Sequence, residues 1–167
     1  LQRKRSIEET VQLRIRIDPD AEPGIRELRL ETKQGISNPI TFRVGLLPEV
    51  KEREPFRPNL PTTEPVTPPV VLNGQILPRD TDRYRIHARK GQRLVFRAEA
   101  RALVPYQADS VPGWMQATLT LFGPDESEVA YADEYHFDPD PVLYTVIPED
   151  GEYVLEVQDA IHRGRDD

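Results

Sequence analysis

Residues 82–100 read DRYRIHARKGQRLVFRAEA, and this stretch indicates the fold class of the chain. Every second residue from Tyr84 to Ala88 is apolar, and the intervening residues are charged or polar. After a turn at 89–91 the alternation resumes at Leu94. Strict alternation of apolar and polar residues is typical of a strand with one buried face. The stretch therefore predicts two antiparallel strands joined by a tight turn.

The same two-residue period recurs along most of the 167-residue chain, between turns rich in Pro, Gly and Asp. No stretch of ten or more residues has its apolar residues at helical spacing. Short alternating strands at this spacing predict an all-β protein, an antiparallel β-sandwich or jelly roll. The further strands predicted from this pattern are 11–17, 25–31, 40–44, 70–77, 117–122, 128–132, 142–147 and 152–157.

A change of composition at EVKEREPFRPNLPTTEPVTPP (49–69) predicts a domain boundary, because six of these residues are prolines. Proline has no backbone N–H donor and a fixed φ, so it interrupts helices and central strands. We predict a partial immunoglobulin-like β module at 1–47, a Pro/Glu-rich linker at 48–65 and a β-sandwich at 66–167. The three strands of the first module bury little surface, so it is marginal alone.

Composition excludes several classes of partner. The formal net charge of −7 argues against nucleic acid, because phosphate contacts need clustered Lys and Arg. No run of about 18 apolar residues occurs, so we predict no membrane insertion in this piece. The absence of cysteine leaves the compartment open. Both ends lie in mid-pattern, and we expect a piece of a longer protein.

Catalytic motifs are absent from the sequence. There is no cysteine nucleophile and no serine in a G-x-S-x-G turn. The histidines His87, His136 and His162 lack the H-E-x-x-H spacing of a zinc site. We therefore expect that the chain is not an enzyme.

Calcium is the chemistry that the acidic loops favour, because this hard cation takes six to eight oxygen ligands. Asp80 and Asp82 place two carboxylates just before the strand at 82–88. Glu52, Glu54 and Asn59 lie in the linker, which could fold across the start of that strand. These five residues form the first candidate metal site. The alternative is that they are solvated turn residues, since Asp is common in turns.

Two further sets of side chains are candidates for binding. A second acidic site would use Asp133, Asp138 and Asp140, although no segment matches the EF-hand pattern. Exposed aromatic residues could bind carbohydrate or protein, and a single Trp beside Pro112 and Gly113 could instead plug one end of the sandwich. The candidate aromatic contacts are Tyr106, Trp114, Tyr131 and Tyr135.

The region 70–159 resembles the bacterial pre-peptidase C-terminal (PPC) domain family over about ninety residues. The shared features, in order, are NGQI (73–76), DTDRYRIHARKGQRLVF (80–96), ATLTLFGPD (117–125) and PEDGEYVLEVQD (148–159). The stretch 18–45 is similar to the last strands of a bacterial immunoglobulin-like domain of the TIG type.

This resemblance implies a non-catalytic accessory or spacer module of an exported bacterial protein, secreted, periplasmic or on the cell surface. Its expected partners are other domains of the same polypeptide, an extracellular protein or a polysaccharide. Some relatives of the family bind calcium between an N-terminal linker and the start of a strand. By position, the same five residues (Glu52, Glu54, Asn59, Asp80 and Asp82) would bind it here. The alternatives are a carbohydrate- or protein-binding module and a prodomain or chaperone segment of a secreted protease.

Overall fold

The described residues of the chain form an all-β protein, as predicted. Within them, the elements are β-strands and one 3-10 helix at Arg101–Leu103. They divide into two units, one ending at Leu46 and one beginning at Leu47. The computed structural model describes residues 13–33, 35–52, 64–76, 80–103 and 115–160.

The first unit contains two antiparallel strand pairs. The strands are β1 (Gly24–Leu28), β2 (Glu31–Thr32), β3 (Gly35–Ile36) and β4 (Ile40–Val44). β1 pairs with β4, from Gly24 opposite Val44 to Leu28 opposite Ile40. β2 and β3 form a short pair between them. The prediction of a strand at 40–44 is confirmed with the same bounds.

The predicted strand at 11–17 is wrong for its described part, residues 13–17, which lie outside every strand. Leu13, Ile15 and Ile17 are 46%, 46% and 47% exposed. An alternating pattern provides an apolar face, but a strand also needs a neighbouring edge for its backbone groups. Within the described part of the chain, no strand pairs with residues 13–17.

The described residues of the second unit form eight strands. They are β5 (Glu49–Lys51), β6 (Val71–Asn73), β7 (Asp82–Ala88), β8 (Arg93–Arg97), β9 (Ala117–Phe122), β10 (Glu128–Ala132), β11 (Val142–Val146) and β12 (Gly151–Asp159). Antiparallel pairing gives one sheet in the order β10-β9-β12-β7 and a second sheet of β8 and β11. β5 and β6 pair in parallel.

One hydrophobic core joins the two antiparallel sheets, which is the arrangement of a β-sandwich. The alternating residues of β7 point inward as predicted, and Ile86 is 1% exposed. Leu155 and Leu121 lie opposite each other in the larger sheet, and Leu94 and Leu143 enter the same core from the smaller one. The finer jelly-roll connectivity stays a prediction.

The first residues of the predicted linker form part of the second unit. Glu49–Lys51 pairs with Val71–Asn73, and Val66 bridges to Ile86 at the free side of β7. Between Pro48 and Pro55 the chain contains no proline, so every residue keeps the N–H donor that a strand requires. Because of this pairing, the C-terminal end of β5 lies near the start of β7. The rest of the predicted linker, up to residue 63, lies outside the described residues.

Candidate functional site

Three acidic residues predicted as metal ligands lie together inside the second unit. Glu52 directly follows β5, and its N–H donates to the carbonyl oxygen of Asn73 at 3.0 Å. Asp82 is the first residue of β7, and Asp80 lies two residues before it. The exposed fractions of Glu52, Asp80 and Asp82 are only 6%, 8% and 3%. We call these three residues the carboxylate cluster.

Tyr84 contributes a hydroxyl group to the cluster. Its oxygen lies 3.3 Å from Asp82 Oδ2 and 3.4 Å from Glu52 Oε2. A tyrosine hydroxyl has one proton, so it can donate to only one of these carboxylates at a time. Backbone groups serve other oxygens, because Gln75 N–H donates to Glu52 Oε1 and Thr81 N–H donates to Asp80 Oδ1. One side-chain donor therefore faces two carboxylates.

Gly74 has no Cβ atom, and the side chains of the cluster occupy the space that this leaves. A Cβ atom at this position would lie 2.7 Å from Asp82 Oδ2 and 2.9 Å from Glu52 Oε2, and closer still to the hydroxyl of Tyr84. Real Cβ atoms essentially never approach other atoms so closely. Three oxygen atoms thus converge beside the backbone of Gly74, and only glycine leaves room for them.

The electrostatics of the cluster favour uptake of a positive charge. Among the described residues, no Lys or Arg side chain forms an ion pair with Glu52 or Asp82. Burial, followed by the hydrogen bond to Glu52 and its charge, raises the pKa of Asp82 from 3.8 to about 8. Burial also raises the pKa of Tyr84, so this residue stays a neutral donor. A buried carboxylate pair is costly unless a proton or a cation neutralises it.

The donor chemistry of the cluster fits calcium, because every side-chain ligand on offer is an oxygen. Among the residues that the structure describes, however, no group of three or more His, Cys, Asp or Glu side chains has the spacing of a metal site. The carboxylate cluster by itself therefore lacks the spacing of a metal site in this arrangement. Glu54 and Asn59, the other two predicted ligands, lie outside the described residues.

Two residues of the second predicted acidic site accept hydrogen bonds from the backbone. The two carboxylate oxygens of Asp140 accept the N–H groups of Arg101 and Ala102 at 2.8 and 3.0 Å. This is the bonding pattern of a residue that caps the start of a helix. Asp138 Oδ1 accepts the N–H of Asp140 at 3.0 Å, whereas Asp133 is exposed. Asp140 thus anchors its loop to the 3-10 helix.

The two arginines that alternate with the apolar residues of β7 form ion pairs across the sheet. Arg83 lies opposite Glu156 of β12, and the Nη2–Oε2 distance is 2.7 Å. Arg85 Nη1 lies 3.6 Å from Glu152 Oε1 on the same face. Opposite charges on neighbouring strands stabilise the pairing modestly. These contacts explain the two arginines by the structure of the sheet.

The aromatic candidates divide between described and undescribed regions. Tyr131 and Tyr135 are 50% and 48% exposed, whereas Tyr106 and Trp114 lie outside the described residues. Sequence reasoning missed Phe137, whose side chain is 99% exposed. The available signal was an aromatic residue inside an acidic, proline-containing loop. The alternating pattern also predicted that Tyr84 lies in the core, and the role of its hydroxyl group was overlooked.

Comparison of the chain with protein-family models, with curated proteins and with solved structures finds no match. In the described ranges, no helix is long and apolar enough to cross a membrane. The function of the chain is therefore inferred from its own residues and their geometry.

Proposed function

We propose that this chain is a non-catalytic accessory module of a larger exported bacterial protein, and that calcium stabilises it through Glu52, Asp80 and Asp82. The observation that carries the proposal is that the carboxylates of Glu52 and Asp82 converge beside Gly74, with Asp80 buried two residues before Asp82. They come from two chain segments separated by more than twenty residues. Solvation, the usual explanation for acidic loop residues, does not apply to side chains at least 92% buried.

Charge balance supports a divalent cation at the cluster. Ionised carboxylates away from water destabilise a fold unless a partner neutralises them. Protonation of Asp82 removes one negative charge, and Tyr84 supplies one hydrogen bond. A bound calcium ion would neutralise two negative charges and coordinate several oxygens together. The remaining oxygen ligands would come from backbone carbonyls, water or the predicted ligands Glu54 and Asn59.

The consequence of binding would be mechanical. Glu52 directly follows β5, and Asp82 begins β7, so a shared cation would hold these two chain segments together. β5 lies at the start of the second unit, directly after the chain leaves the first. In this proposal Glu52, Asp80 and Asp82 bind the ion, Gly74 leaves the space, and Tyr84 orients the carboxylates.

Location and family are part of the same proposal. The resemblance to the PPC family at 70–159 and the β-sandwich architecture are consistent with a module of this kind. Calcium sites of extracellular modules bind in the range of about 0.1–1 mM, which matches the ion's level outside cells better than inside. We therefore place the module outside the cytoplasm, with other domains of its polypeptide as its main partners.

A thermal melt tests the proposal directly. The chain is unfolded in millimolar calcium, in millimolar magnesium and in excess chelator. We expect calcium to raise the melting midpoint clearly and magnesium to raise it less, because magnesium demands near-ideal octahedral geometry. An unchanged midpoint in calcium would mean that the cluster holds only a proton, and the calcium function would be abandoned.

A second candidate function is recognition of a protein or a carbohydrate by exposed aromatic side chains. The observation that favours it is the exposure of Phe137, together with that of Tyr135 two residues earlier. Isolated exposed apolar residues are common, but a fully exposed phenylalanine beside a second aromatic residue is typical of interaction surfaces. A glycan array and a peptide titration would separate the two ligand classes.

A further inference from the structure

The loop between β10 and β11 ends in a tight two-residue reverse turn. Tyr135 and Asp138 exchange reciprocal backbone hydrogen bonds, each 2.8 Å long. The two residues between them, His136 and Phe137, have φ values of 47° and 70°. Positive φ at both central positions is the geometry of a type I′ turn, which Asn-Gly adopts most readily. We call residues 135–138 the aromatic turn.

The residue types at the two central positions of the aromatic turn do not favour the positive φ values that they adopt. L-residues with bulky side chains rarely adopt positive φ, and His and Phe occupy both positions here. The fold gains no burial in return, because Phe137 is 99% exposed. A chain selected only to close this turn would carry Asn or Gly at these sites. The side chains themselves therefore need an explanation outside the fold.

The aromatic turn is also held firmly. Asp138 accepts the N–H of Asp140, which in turn caps the 3-10 helix through the N–H groups of Arg101 and Ala102. The rings of Tyr135 and His136 pack edge to face, with their centroids 4.4 Å apart. A ring presented on an anchored turn loses little conformational freedom on binding, which favours recognition.

The charge around the aromatic turn indicates what it would bind. Along the chain, residues 102–162 contain thirteen acidic residues and no Lys or Arg, and the basic residue before them, Arg101, is linked to the loop because its N–H donates to Asp140. Asp133 and Glu134 are exposed just before the turn, and Asp138 is exposed at its end. An arginine side chain can stack on an exposed aromatic face and at the same time pair with a carboxylate. A neutral sugar would use the aromatic rings but would gain nothing from this one-sided charge.

We propose that the aromatic turn is a recognition tip for an arginine-containing segment of a protein partner, with Phe137 as the stacking surface. The carboxylates of Asp133, Glu134 and Asp138 would attract and pair with the basic side chains. This inference deepens the second candidate function and is independent of the proposed calcium site, because none of these residues belongs to the carboxylate cluster.

The test is a titration of the full 167-residue chain with a short arginine-rich peptide, in chelator, followed by heteronuclear NMR. Matched lysine-rich and glutamate-rich peptides and a panel of neutral oligosaccharides serve as comparisons. We expect shifts centred on 133–138 with the arginine peptide, weaker binding of the lysine peptide and none of the acidic one. Phe137→Ala should weaken binding roughly two- to fivefold, as the loss of an exposed cation–π contact predicts.

A double variant separates a recognition role from a structural one. His136→Asn with Phe137→Gly supplies the preferred type I′ residues and should raise the melting midpoint while weakening peptide binding at least as much as Phe137→Ala does. Equal binding by this variant would overturn the proposal, as would preference for an oligosaccharide. Concentration-dependent self-association that Phe137→Ala removes would also overturn it, because the partner would then be a second copy. Absence of peptide binding with an intact calcium response would refute this inference alone.

Discussion

Asp82→Asn is the most informative substitution in the carboxylate cluster, because it keeps the size of the side chain and removes its charge and its titration. The asparagine amide can still donate a hydrogen bond to Glu52, so we expect the variant to fold. Two consequences follow for the free energy of unfolding. One concerns its dependence on pH without metal, and the other its dependence on calcium.

The pH dependence follows from the raised pKa of Asp82. In the metal-free protein this pKa is about 8, against 3.8 for an ordinary Asp, so the folded state keeps its proton where the unfolded state has lost it. The resulting stabilisation is complete below about pH 4 and is lost as the pH rises toward 8. One extra bound proton corresponds to at most about 1.4 kcal/mol per pH unit, and solvent screening reduces this. Asp82→Asn should remove this slope.

The calcium dependence follows from mass action. A ligand that binds only the folded state, at about 100 times its dissociation constant, adds about 2.7 kcal/mol. For a unit of about 120 residues, 1 kcal/mol shifts the melting midpoint by about 3–5 °C, so the parent should gain roughly 10 °C. The Asp82→Asn variant should gain almost nothing, because it loses a buried carboxylate ligand.

The assay is thermal unfolding followed by circular dichroism at pH 5, 6.5 and 8, each in chelator and in calcium. Asp133→Asn is the matched control, because Asp133 is an exposed aspartate distant in sequence from the cluster. It should behave like the parent in every condition. The reasoning is refuted if Asp82→Asn keeps the pH slope of the parent, or if it responds to calcium as the parent does.

Three further substitutions test other parts of the molecule. Gly74→Ala should destabilise the chain by about 1–3 kcal/mol and abolish any calcium-induced shift of the melting midpoint, because its Cβ would meet the cluster oxygens. Equal melting midpoints of variant and parent would contradict the close approach of these oxygens to Gly74. Asp140→Ala should cost about 1–3 kcal/mol in denaturant unfolding, because two backbone donors lose their acceptor, and a lost calcium shift would instead mark a second metal site. Leu121→Ala should lower the free energy of unfolding by about 3–5 kcal/mol because the side chain is fully buried, whereas Val95→Ala, at a residue 64% exposed, should lower it by under about 1 kcal/mol. Similar losses for both variants would contradict the sandwich core.

The strands were the most predictable part of the fold. Those at 82–88, 117–122 and 128–132 have the bounds that alternation predicts, because the period of two is a local property of the sequence. Residues 13–17 alternate equally well and yet lie outside every strand. Alternation reports which face of a strand could be buried, and it carries no information about the neighbour that must supply the hydrogen bonds.

The candidate site was predictable only in part. The spacing of Asp80 and Asp82 before a strand is visible in the sequence, and Glu52 was among the predicted ligands. The hydroxyl of Tyr84 and the glycine at 74 were not assigned to the site, because their approach depends on the parallel pairing of β5 with β6. The exposure of Phe137 likewise depends on a backbone turn for which the sequence lacks the usual Asn-Gly.

The sequence by itself determined the all-β class, most strand positions and the supply of acidic side chains in the loops, because these depend on local periodicity and composition. Only the tertiary structure decided which carboxylates share a buried volume and which serve as caps. Glu52 and Asp140 are both acidic residues beside strands, yet one faces a second carboxylate and the other accepts two backbone N–H groups. That difference arises from contacts between segments distant in the chain, and the chemistry of each residue follows from the neighbours that folding provides.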